Sequence, residues 1–166
     1  GKPRAAIVLV SGSGPQNRNA YLGSQINHSP FLVLSDYLTR RGYAVLRYDD
    51  RGVNESTGDF RSATSNDFAL DATAAVAYLR TLKELKNVPI GVAGHSEGGM
   101  IAPIVASRDE ELDFVILLAA PAVAIDSLML EQRRQVARSM GQSEMLIRRD
   151  APGSYTPLTL PTHLRL

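Results

Sequence analysis

The chain has 166 residues, room for one domain and not for two. Hydrophobic residues make up 44% and charged residues 21%, and 18 Lys and Arg against 17 Asp and Glu leave a net charge of +1, which removes the electrostatic case for nucleic acid or an anionic membrane as partner. Cysteine is absent, which excludes disulfides, thiolate metal sites and a cysteine nucleophile and leaves the compartment open. The longest apolar run, residues 114–125, is shorter than the ~20 residues a membrane helix needs. The chain opens on Gly1 with no leader-like segment, so its start is expected to be a boundary and not a native terminus.

Taken in order, residues 5–10 read as a short buried strand ended by Ser11-Gly12-Ser13-Gly14-Pro15. A polar loop follows over 16–28. Ser29-Pro30 supplies an N-cap and a proline at the first helical position, Phe31, Leu34 and Leu38 share one face, and Gly42 is the stop. Residues 44–48 form a second strand, and 49–59 a turn-rich connection. The next helix opens at Thr64 or Ser65, where Thr64 and Asp67 have the spacing of a capping box; Phe68, Ala72, Ala75, Val76, Leu79 and Leu82 then recur at helical spacing. Residues 89–93 are a third strand. A helix runs from Ser96 to about Ser107 with Pro103 awkwardly inside it, and 114–120 are a fourth strand. Beyond it, 126–140 read as an amphipathic helix, and the prolines of 151–166 imply an irregular tail.

Strands joined by crossover helices run parallel, and an apolar run such as Ile116-Leu117-Leu118 implies burial on both faces. The expected fold is α/β: a three-layer sandwich with a mainly parallel sheet of about four strands, occupying residues 1–150.

Gly94-His95-Ser96-Glu97-Gly98 matches G-x-S-x-G, a pattern that composition alone produces roughly 0.1 times in a chain of this length. Its setting between a strand and a helix is the informative part. A sharp turn there lifts the Ser96 hydroxyl above the sheet, and the close approach of strand and helix demands small residues at 94 and 98. The Glu97 amide at the helix N-terminus can donate to an oxyanion. A second donor fits the loop after the first strand, at the Ser13 amide or alternatively at Gly14.

Together these segments resemble the α/β-hydrolase family over about residues 5–120. Gly94-His95-Ser96-Glu97-Gly98-Gly99 is similar to its nucleophile elbow, and Ser11-Gly12-Ser13-Gly14-Pro15 to its oxyanion loop, with Ser11 where His is more usual. Tyr48-Asp49-Asp50-Arg51-Gly52-Val53-Asn54-Glu55-Ser56 is similar to the D-x-R-G-x-G-x-S segment of bacterial esterases and serine-aminopeptidase-like hydrolases, with Asn54 where Gly is usual. The resemblance implies hydrolysis of an ester, thioester or amide through an acyl-serine at Ser96, with Glu97 and Ser13 as amide donors and no cofactor or metal.

The same resemblance places an acid and then a histidine at the ends of later strands, and the sequence offers no good candidate for either. His95 reads as packing, His28 as ordering its loop, and His163 falls in the tail. Asp126 is a weak candidate acid; Asp49, Asp50 and Arg51 read as an ion-pair and turn network, and Glu97 as lining a pocket or facing solvent. The chain thus resembles the central part of a hydrolase, cut short at one or both ends, and little turnover is expected of it. A non-catalytic binding module of hydrolase ancestry is the alternative. A dinucleotide-binding fold fits poorly, since Asn17 stands where the third glycine belongs and the acid comes far later than the usual 20 or so residues. A partial sheet leaves an edge, from which a homo-oligomer is expected.

Overall fold

A computed structural model describes residues 1–123 and 125–142. The irregular tail expected over 151–166, and His163 within it, lie outside the described residues. The elements are β1 (Ala6–Val10), α1 (Gly23–Ile26), α2 (Pro30–Thr39), β2 (Ala44–Leu46), α3 (Ser65–Thr81), a 3-10 turn (Lys83–Leu85), β3 (Ile90–His95), α4 (Gly98–Arg108), β4 (Phe114–Leu118) and α5 (Ile125–Ser139). Contacts divide the chain into two compact units, Gly1–Pro121 and Ala122–Leu166. Among the described residues the second unit contributes α5.

The four strands form one parallel sheet in the order β2-β1-β3-β4. Alternation along β1 feeds two cores. Ala6, Val8 and Val10 join Ala69, Ala72, Val76 and Leu79 of α3 and Ile101, Ala102 and Val105 of α4 on one face. Ile7 and Leu9 join Ala93 and Phe31 of α2 on the other, with Leu34 and Leu38 packed against them. Helices therefore cover both faces of the sheet, the three-layer α/β sandwich that the segment order implied.

Local signals explain the helix ends. The Thr64 amide donates to Asp67 Oδ2 at 2.8 Å while the Asp67 amide donates back to Thr64 Oγ1 at 3.4 Å, a capping box in which Asp does the work of Glu. Ser29 stands at the N-cap of α2, but its side chain caps nothing; Pro30 at the first helical position carries the start. Gly42, at φ +82°, ends the same helix, its amide donating to Thr39 O at 3.0 Å. Pro103 sits inside α4, between Ile101, Ala102 and Val105, which are buried against the sheet and hold the helix despite it.

The second and fourth strands end earlier than expected, at Leu46 and Leu118, and the expected burial of the fourth fails. The apolar run of β4 is not buried on both faces: Ile116 is 38% and Leu117 52% exposed. β4 is the outermost strand beside β3, and an apolar sequence does not itself supply the layer that would cover it.

Candidate active site

β1 and β3 are adjacent and parallel, with Val10 opposite Gly94, so the segments that follow them leave the sheet side by side. On β3 the chain turns sharply. Ser96 has φ +55°, the left-handed region that a residue with a Cβ enters at a cost, and Glu97 then takes helical angles as the N-cap of α4. The bend is held on both sides: the Ser96 amide donates to Leu118 O at 2.9 Å, and its carbonyl accepts from the Gly99 amide at 2.9 Å.

The small residues expected around this turn are required by contact. A Cβ on Gly94 would lie 1.9 Å from Gly98 O; one on Gly98 would lie 2.3 Å from Val10 O and 2.5 Å from Ser11 O. Gly99 is similarly pressed, with a Cβ there 2.4 Å from Ala120 Cβ. The strand-to-helix turn is thus packed backbone to backbone against the loop that leaves β1.

Within that loop the residue against Ser96 is Gly12, where a Cβ would stand 3.1 Å from Ser96 Cβ and 3.3 Å from His95 Nδ1. Ser13 is exposed beside it, and its carbonyl accepts from Gln16 Nε2 at 3.3 Å. Among the described residues neither the Ser13 nor the Glu97 amide donates a hydrogen bond within the chain, which leaves both N–H groups available. Gly12 belongs to the glycine-flanked segment that the sequence marks as the anion-binding loop, but its own close approach to Ser96 is set by the neighbouring strand and is not written in the motif.

The Glu97 side chain lines a small pocket with Asp50, Tyr48, Phe60, Phe68 and Ile101, and its Oε1 accepts from Ser65 Oγ at 3.3 Å. Phe60 and Phe68 meet with ring centroids 5.4 Å apart. Burial pushes the Tyr48 hydroxyl above its ordinary range.

The segment after β2 divides its charges. Asp49 is buried and receives the Arg18 guanidinium at 2.5 Å and the Arg18 amide at 2.7 Å, and the Arg18 side-chain bond holds its carboxyl down to about 2. Arg51 binds Asp71 at 2.7 Å from both Nε and Nη2, fastening the segment to α3. Among the described residues Asp50 has no such cation; burial pushes its carboxyl above the usual range, and Asp71 and Glu97 add to the effect. Asn54, where Gly is usual, adopts φ +53°, a conformation asparagine tolerates better than most residues.

The remaining candidates do not reach Ser96 by a hydrogen bond among the described residues. His95 is exposed and not packed in a core, because it is the last residue of β3, where the strand leaves the sheet. His28 is also exposed, its carbonyl accepting from the Leu22 amide at 2.9 Å. Neither makes a hydrogen bond to Ser96 among the described residues. The Asp126 side chain lies outside the described residues. No group of three or more His, Cys, Asp or Glu side chains among the described residues could hold a metal ion, and no described helix is long and apolar enough to cross a membrane.

The family described as serine aminopeptidase, S33, matches residues 1–150. Among solved structures, an esterase of Pyrococcus furiosus is similar at TM-score 0.64 and 20% identity, over 88% of this chain and 51% of that one. A proline iminopeptidase-related protein of Thermus thermophilus matches at TM-score 0.55 and 22% identity, over 86% and 43%. Est1E of Butyrivibrio proteoclasticus, solved with ferulic acid bound, matches at TM-score 0.55 and 20% identity, over 81% and 47%. The chain spans about half the length of these structures. No curated protein matches it.

Proposed function

Since the chain belongs to the serine aminopeptidase S33 family of α/β hydrolases, we propose that Ser96 is the nucleophile of a serine hydrolase acting on carboxylic esters, thioesters or amides. The observation that carries this reading is the left-handed backbone of Ser96 at a strand-to-helix bend, with Gly12 of the neighbouring loop pressed against it. Such strain persists only where the surroundings enforce it, and it aims a hydroxyl away from the sheet.

In this reading Ser96 Oγ attacks the carbonyl carbon, and its proton passes to a general base. The carbonyl oxygen becomes an anion held by the Glu97 amide, at the positive end of α4, and by the Ser13 amide. The tetrahedral centre collapses, the alcohol, thiol or amine leaves with the proton, and water hydrolyses the acyl-serine to free acid and Ser96. Among the described residues no histidine hydrogen-bonds Ser96 to serve as base. Without one, turnover falls by about 10⁴–10⁶, so weak activity is expected of this chain.

The test is exposure to an alkyl fluorophosphonate followed by mapping of the adduct. Slow, stoichiometric labelling confined to Ser96 and abolished by Ser96→Ala is the expected result. No adduct, or an adduct elsewhere, would overturn the assignment of the nucleophile; fast labelling would overturn the expectation of weak activity.

A further inference from the structure

We propose that Asp50 is a positioning residue, which sets the anion-binding loop against Ser96 by gripping that loop at both ends. The proposal rests on the reading of Ser96 as nucleophile.

Asp50 Oδ1 accepts from the Ser11 hydroxyl at 2.8 Å, and Oδ2 accepts from the Gln16 amide at 2.9 Å. The Asp50 amide donates in return to Gln16 O at 3.0 Å. Ser11 and Gln16 bracket residues 12–15, the stretch that holds Gly12 against Ser96 and carries the Ser13 amide. Inside the bracket there is little else to fix the backbone. Ser13, Gly14 and Pro15 are exposed, Gly14 has open space around it, and the Gln16 side chain on Ser13 O is a local bond at 3.3 Å. A glycine-flanked loop so placed has much conformational freedom to lose. Amides that receive a developing anion must be held to within about 0.5 Å.

The neighbouring charges sharpen the point. Asp49 pairs with Arg18 and Arg51 with Asp71, which suffices to anchor the segment after β2. Asp50 is 6% exposed, pairs with no cation among the described residues, and has Asp71 and Glu97 as its electrostatic neighbours. A buried carboxylate without a cation is a cost. Here both of its oxygens are spent on the two ends of one loop.

The experiment compares fluorophosphonate labelling of the whole chain with that of three variants, separating the saturating rate of labelling from the half-saturating probe concentration. Asp50→Ala is expected to lower the saturating rate about 100-fold, and Ser11→Ala, which removes one of the two grips, about tenfold, with half-saturation little changed. Asp50→Asn should recover most of the loss, because its amide oxygen can accept from Gln16 while its NH₂ donates to a rotated Ser11 hydroxyl. Ser11→Ala keeps the result decisive if Asp50→Ala does not fold. Folded variants that lose thermal stability but label at the wild-type rate would overturn the positioning role while leaving Ser96 as nucleophile. A wild-type chain with no adduct at Ser96 would overturn both.

Discussion

The central and outer strands of the sheet are built from the same kind of residue and behave differently. β1 is buried at every position, and β3 is buried through Gly94. β2 is half-buried throughout, and β4 exposes Ile116 and Leu117 although its sequence is no less apolar than that of β1. Burial here follows from having a strand on each side and a helix on each face, and not from composition. The candidate active site grows from the ends of the two central strands, which are paired on both sides. The outer strands carry unpaired edges among the described residues, and such edges are templates for pairing.

The largest test of this contrast is at the junction of the central strands. Gly98→Ala would drive a methyl into the Val10 and Ser11 carbonyls, backbone atoms that cannot rotate aside, and is expected to cost more than about 4 kcal/mol in urea unfolding. An unchanged midpoint would mean that the junction is far looser than described. Next comes a matched pair. Leu9→Ala in the centre should cost about 3 kcal/mol and Leu117→Ala at the outside less than about 1 kcal/mol, and equal losses would erase the distinction.

Adjacent carboxyls offer a pH test on the same segment. Asp49 is held down to about 2 from an ordinary 3.8, so its contribution is present above about pH 4 and lost as pH falls toward 2. Asp50 is shifted upward, so its contribution is fully present below its ordinary 3.8 and is lost as pH rises through its raised value. Thermal melts should therefore show an Asp50 contribution that grows as pH falls through its raised value toward 3.8, and a loss below about 4 as Asp49, with Asp59 and Asp67, whose carboxyls are also held down, is protonated. Asp50→Asn should flatten the upper limb alone. The smallest expected effect is at the edge: sedimentation should show concentration-dependent self-association that Leu117→Lys weakens, and a wild-type chain that stays monomeric at all concentrations would remove the case for edge pairing.

Much of this architecture was legible because it is written locally. The capping box at Thr64 and Asp67, the proline start of α2 and the glycine spacing around Ser96 are short-range signals, and each has its counterpart in the fold. What escaped is long-range. Ser11, Gln16 and Asp50 form one unit across more than thirty residues of sequence, and an acid after a strand reads as a turn residue until its partners are seen. The exposure of Ile116 and Leu117 depends on what lies beside β4, which no run of apolar residues encodes. His95 reads as packing because its place beside Ser96 aims its side chain away from the hydroxyl, yet it is exposed at the residue where the strand leaves the sheet.

The left-handed bend at Ser96 also has an energetic consequence for the turn. A non-glycine residue there sacrifices about 1 kcal/mol or more that glycine would not. In the proposed reading the turn trades that stability for the placement of a hydroxyl above the sheet.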